Sequence, residues 1–201
     1  MIRAHETLMP RHSLVVRLTH WINAIASFAL IVSGAAILLA HPRLYWGETG
    51  AVGAPSLIDL PIPFIFGHSG WGRYLHFLAA WVGAITGVVY VSAGVVTRRF
   101  GHASFQAYNV LQRLTYVFVI FVLGPLVLIS GLAFSPMLAS AAPWLVGVFG
   151  GQQSARTIHF FAAAAIVAFL IVHVVMVAAT GFTARMRSMI VGDPGSVAER
   201  L

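Results

Sequence analysis

The sequence contains no cysteine and no lysine, and few charges of any kind. Without cysteine there can be no disulfide, thiolate zinc site, iron–sulfur ligation or covalent c-type haem attachment. Any redox group must be held by histidine, methionine or noncovalent contact. Only 8% of the 201 residues are charged, against roughly 25% in a soluble domain. So few charges cannot cover a soluble surface when 59% of the residues are hydrophobic. Lipid is therefore the expected solvent, and the length suits one compact membrane domain over residues 1–201. The net charge of +7 is carried by arginine alone. These arginines flank apolar runs, which is the pattern of membrane topology and not of a nucleic-acid surface.

Four apolar runs, at about 14–40, 72–97, 112–135 and 155–182, exceed the ~18 residues that mark a spanning helix. The first is too long for a signal-peptide core, contains His20 and lacks a small-residue cleavage site, so it reads as a retained helix. Between the runs, 41–71 is rich in Gly and Pro, 98–111 is a short polar link, and 136–154 is apolar enough to lie along the interface. The tail 183–201 is polar at its end. Arg3, Arg11, Arg17, Arg98, Arg99, Arg113, Arg185, Arg187 and Arg200 fall on one side of this arrangement, and Arg43, Arg73 and Arg156 on the other. The excess predicts both termini in the cytoplasm. The expected fold is an all-α transmembrane four-helix bundle.

Nine histidines are present. His5, His12, His41, His68 and His102 fall in loops or termini and read as ordinary polar residues. His20, His76, His159 and His173 lie inside the spans, where an ionisable side chain is a functional candidate by default. Helix direction sorts them by depth, with His20 and His173 towards the cytoplasm and His76 and His159 towards the outside. His159 and His173 are fourteen residues apart, which returns to within roughly 40° of one helix face after a rise of about 21 Å. One helix thus offers two imidazoles at two depths. Two haems stacked across a membrane require such an arrangement, because each iron takes an axial ligand from both sides.

Arginine precedes histidine by three residues at Arg17/His20, Arg73/His76 and Arg156/His159, an internal repetition. Each Arg shares the His face one turn nearer water, where its planar fork suits a haem propionate. Gly83, Gly87 and Gly94 stand at +7, +11 and +18 from His76, within roughly 20° of its face. Gly34 stands fourteen residues after His20, at the level of the other haem. These glycines are candidates for clearing space beside a large flat ring.

Arg17-Leu-Thr-His20-Trp21-Ile-Asn23 resembles the first helix of the bacterial cytochrome b561/nickel-hydrogenase cytochrome b superfamily. Gly70-Trp71-Gly72-Arg73-Tyr74-Leu-His76-Phe77, Tyr108-Asn109-Val-Leu-Gln112-Arg113, and Arg156-Thr-Ile-His159 through His173 continue the resemblance over nearly the whole chain. It is most similar to thiosulfate-reductase-type cytochrome b subunits and the formate dehydrogenase gamma subunit. The resemblance implies two haems b, a location in the bacterial inner membrane, a quinone site at the cytoplasmic haem and an electron partner at the outer one. In members of the superfamily that partner is often a periplasmic molybdopterin oxidoreductase. Asn109, Gln112 and Arg113 match the region where members bind quinone. A fifth helix, found in some members, is not evident, which disfavours a hydrogenase role. Tyr45, Trp46 and Trp71 are candidate anchors for a docking partner. The alternative is a stand-alone superoxide:quinone oxidoreductase, and the low arginine count outside argues mildly against it.

Overall fold

The computed structural model describes residues 13–50, 54–63, 69–98 and 110–192. In chain order these form α1 (Leu14–Ala40), β1 (Arg43–Leu44), β2 (Ile58–Asp59), α2 (Ser69–Val96), α3 (Val110–Phe118), a π-helical turn (Val119–Leu123), α4 (Gly124–Phe134), α5 (Pro136–Ala141), α6 (Pro143–Val148), α7 (Gln152–Ala179) and α8 (Phe182–Ile190). Among the described residues, four helical stretches are long and apolar enough to cross a membrane: Leu14–Ala40, Gly70–Val96, Leu114–Phe134 and Gln152–Ala179. A spanning helix satisfies its backbone internally, as hydrocarbon demands. Its few hydroxyls do likewise. Ser33 donates to the Ala29 carbonyl at 2.6 Å, Thr86 to Val82 at 2.7 Å and Ser130 to Leu126 at 2.6 Å.

The burial pattern is that of a lipid-immersed bundle. Large apolar side chains such as Ile25, Leu78, Ile85 and Ile171 point outward and are at least 60% exposed. Most buried positions within the spans are small, among them Ala26, Ser33, Ala36, Ala79, Ser130, Ala133, Ala155 and Ala162. Small residues let helix backbones approach closely where lipid offers no hydrophobic drive. α1 packs on α2, and α4 packs on α7. The first crossing is tight at Gly72, where a Cβ would lie 3.2 Å from Ala36 Cβ and 3.3 Å from the Ser33 carbonyl. A Gly72→Val change should therefore wedge α1 from α2 and destabilise the protein by about 1–3 kcal/mol. Thermal unfolding in detergent measures this.

The third span is not one plain α-helix. Pro125 has no N–H for the preceding turn, and its ring would strike the carbonyl of residue 121 in regular α-geometry. The π-turn absorbs this conflict, with the Gly124 N–H reaching back to the Val119 carbonyl. The tail also departs from expectation. Gly181, at φ +102°, ends the fourth span, and α8 follows within the stretch expected as tail.

At one end, here the loop end, the 41–50 segment straps over the first turn of α7. The Gly47 carbonyl accepts from the N–H groups of Gln153 and Ser154 at 2.9 and 3.3 Å. Ser154 Oγ accepts from the Gly47 N–H at 2.7 Å, and Thr157 Oγ1 donates to the Tyr45 carbonyl at 2.7 Å. The strap thus occupies donors that a helix start leaves open. Leu44, 1% exposed, anchors it. β1 and β2 pair antiparallel, Arg43 against Asp59 and Leu44 against Ile58. α5 and α6 complete this end, each opening on a proline suited to a first helical turn. At the opposite, terminal end, α8 folds back on α1. Its last carbonyls are capped by Arg17, which donates to Ile190 and Val191 at 2.9 and 3.2 Å, and by Trp21 Nε1, which donates to Met189 at 3.2 Å.

Candidate functional site

The four intramembrane histidines stand in two facing pairs. His20 of α1 and His173 of α7 have ring centroids 6.4 Å apart and planes at 64°. His76 of α2 and His159 of α7 are separated by 6.0 Å, with planes at 66°. α7 supplies one member of each pair because positions 159 and 173 share its face. The His76/His159 pair lies towards the loop end and the His20/His173 pair towards the terminal end.

These distances bear on whether a haem iron fits between the rings. An imidazole nitrogen bonds a first-row metal at about 2.0–2.1 Å, which places the ring centres of two imidazoles on opposite sides of one metal roughly 6 Å apart. Both pairs meet that spacing. In the His76/His159 pair the other ring nitrogen is already engaged by a neighbouring helix. His76 Nδ1 lies 3.0 Å from Ser33 Oγ. His159 Nδ1 lies 2.8 Å from the Val127 carbonyl and 3.3 Å from Ser130 Oγ. The residues present fit bis-histidine haem ligation at both levels.

The surroundings of the two pairs differ. His173 stacks on Phe169 at 5.9 Å and 27°, and Tyr116 meets it edge-on at 6.4 Å. His20 meets Trp21 edge-on at 5.4 Å. Aromatic faces thus surround the terminal-end pair, whereas hydroxyls and carbonyls line the loop-end pair.

The arginines also differ from one another. Arg73 is exposed near the start of α2, and Arg156 donates to the His41 carbonyl at the end of α1. His41 lies beside both. Loss of solvent around this surface residue, then the Arg156 and Arg73 charges, lower its pKa below the ordinary 6.5. Unfolding therefore takes up a proton just below pH 6.5, so His41 favours the fold above that value and the benefit is lost as pH falls through its lowered folded pKa. A His41→Gln variant should show a shallower fall in melting temperature between about pH 7 and 5. An unchanged slope would refute that role. Arg17 shares the Arg-x-x-His spacing but is committed to capping α8.

The glycines have distinct neighbours. A Cβ on Gly34 would face the His76 ring at 3.6 Å, an ordinary contact distance. Gly83 faces Asn23 and Ala26 of α1, and around Gly87 the space is open to 4 Å. Gly94 lines a small cavity with Ser13, Val15, Val16, Tyr90, Ala93 and Thr97. Asn109 lies outside the described residues. Gln112 and Arg113 fall in the first turn of α3, with side chains outside the described set. Sequence reading missed Ser33, Ser130 and Gly131. Their signal was Leu30-x-x-Ser33-Gly34 in α1 echoed by Val127-x-x-Ser130-Gly131 in α4, a second internal repetition.

The sequence profile of the prokaryotic cytochrome b561 family matches residues 11–192. The chain belongs to the prokaryotic cytochrome b561 family. It is similar to a chain of Azospira oryzae named as a protein-methionine-sulfoxide reductase subunit, YedZ1, with 30% identity over 192 residues, covering 81% of this chain and 87% of that one. Membership makes this protein a multi-pass b-type cytochrome of the bacterial inner membrane and an electron-transfer subunit, with haem b as its cofactor.

Proposed function

We propose that this cytochrome b561 holds two haems b, one between His20 and His173 and one between His76 and His159. It would carry electrons across the inner membrane between quinone and a periplasmic oxidoreductase subunit. The observation that carries this reading is the pair of facing imidazole couples at two depths, built on one shared helix. Both termini lie in the cytoplasm in this proposal, since nine of the twelve arginines fall on that side. The terminal-end pair is then the inner one and the loop-end pair the outer one.

The haems would supply one-electron storage at two levels. The protein's residues do the rest. The four histidines fix ring position, and the small buried residues set how closely the helices pack around them. Arg73 and Arg156 bring positive charge to the outer mouth, where propionates need partners. Quinone would be handled at the inner level, where Asn109, Gln112 and Arg113 remain the candidate residues. The partner would dock on the loop end, with exposed Trp46 and Trp71 as anchors and Tyr45, which is buried, bracing the strap instead. A molybdopterin-containing partner follows from the superfamily resemblance. The name of the Azospira oryzae relative supports a reductive direction, towards a sulfoxide.

Proteoliposomes test this. Quinol should reduce both haems, and the periplasmic partner purified from the same membranes should reoxidise them. Haems that stay oxidised with quinol would overturn the reading. The cluster of His41, Arg73 and Arg156 gives some support to the second reading, a stand-alone superoxide:quinone oxidoreductase, since it places cations at the outer mouth. Haem reduction by superoxide in a protein that isolates without a partner would favour that reading.

A further inference from the structure

The loop-end pair is built twice from the same parts. Leu30-Ile31-Val32-Ser33-Gly34 in α1 faces the Arg73-x-x-His76 turn of α2, and Val127-Leu128-Ile129-Ser130-Gly131 in α4 faces the Arg156-x-x-His159 turn of α7. Ser33 and Ser130 are both 0% exposed. Each hydroxyl has one proton, and each gives it to a carbonyl of its own helix, Ala29 or Leu126, at 2.6 Å. What the serine oxygen offers the facing imidazole is therefore a lone pair. The Val127 carbonyl, 2.8 Å from His159 Nδ1, is an acceptor by nature. Facing these acceptors, Nδ1 of His76 and of His159 carries the ring proton, and Nε2 is left with its lone pair.

A glycine follows each serine and faces the same imidazole. A Cβ at position 131 would lie 3.0 Å from His159 Cε1 and 3.2 Å from Nδ1, too close for the ring to stay in place. At position 34 the contact with His76 would be 3.6 Å, which is ordinary. The α4 seat is the tighter of the two.

We infer that Ser33-Gly34 and Ser130-Gly131 are matched seats that hold His76 and His159 with the proton on Nδ1, and that they lower the reduction potential of the loop-end haem. The inference rests on the reading that this pair ligates a haem. An imidazole donating from Nδ1 to good acceptors is a more basic ligand, and a more basic ligand favours ferric over ferrous iron. The His173 ring neighbours are the aromatic Phe169 and Tyr116. Removing the serine acceptors should therefore move one haem and not the other. Ser33 and Ser130 are positioning residues, because they act through the histidines.

The test is a redox titration of purified S33A, S130A and the double variant, followed optically and by electron paramagnetic resonance, with haem content measured on each. One haem should shift upward in potential by a several-fold change in its reduction equilibrium, tenfold being about 59 mV for one electron. The double variant should shift further, while the second haem stays at its wild-type value. Ser→Thr at either site keeps the oxygen and should keep the native potential. Ser→Cys, nearly the same size with a weak acceptor, should shift it, and this variant serves if the alanine forms do not accumulate. Wild-type potentials in variants with full haem content, or equal shifts in both haems, would overturn the inference and leave the haem assignment standing. Full haem content in His76→Ala would instead overturn the assignment.

Discussion

Replacing His159 with alanine should remove one haem and leave the other spectrally intact. Its ring faces His76, 6.0 Å away, whereas His173 faces His20 at 6.4 Å. His76→Ala should lose the same haem, and the His76→Ala/His159→Ala double variant should lose nothing further, because one ligand position already decides occupancy. By contrast, combining His159→Ala with His173→Ala should abolish haem binding. This non-additivity within pairs and additivity between them is a double-mutant signature of the pairing. Haem-to-chain ratios with reduced-minus-oxidised spectra read it out. If His76→Ala and His159→Ala removed different haems, the pairing would be wrong.

The second large effect concerns the strap at the loop end. Gly151 sits at φ +119° and ψ 165°, and a Cβ there would come within 2.4 Å of the Gly47 backbone and 2.7 Å of the Glu48 nitrogen. Gly151→Ala meets a backbone conformation costing about 1–3 kcal/mol. It also pushes the strap off the Gln153 and Ser154 N–H groups, adding about 1 kcal/mol per hydrogen bond lost. A total of about 3–5 kcal/mol is expected. Thermal melts should fall by many degrees, and residues 41–50 should become open to protease. Gly47→Ala is the control. Its φ is +94°, but no atom lies within 4 Å of the added Cβ, so only backbone strain of about 1–2 kcal/mol applies. If Gly151→Ala melted no lower than Gly47→Ala, the strap would not be the close contact described.

Why the strap stayed illegible in the sequence is a matter of distance along the chain. Gly47 and Gly151 read separately as loop glycines, and only the fold brings them together. Arg17 makes the same point from the other side. Its spacing to His20 matches Arg73 and Arg156, yet its guanidinium caps carbonyls more than 170 positions later. Local periodicity cannot see such a partner. The histidines were legible because membrane depth makes an ionisable residue rare and the helical period turns spacing into direction. The spans were legible for the same reason, since hydrocarbon tolerates little besides an apolar helix. Ser33 and Ser130 passed unnoticed because a serine in a spanning helix usually bonds its own backbone, as both of these do. Only the facing imidazole shows their second contact. α8 was hidden behind Gly181, since a glycine after a long apolar run reads equally well as the start of a tail.

The central claim is that the four histidines form two separate haem sites. The most direct measurement is the haem-to-chain ratio of the purified wild-type protein, from haem b extraction set against quantitative amino-acid analysis. Two haems b per chain are expected. A ratio of one in fully loaded protein would contradict that claim.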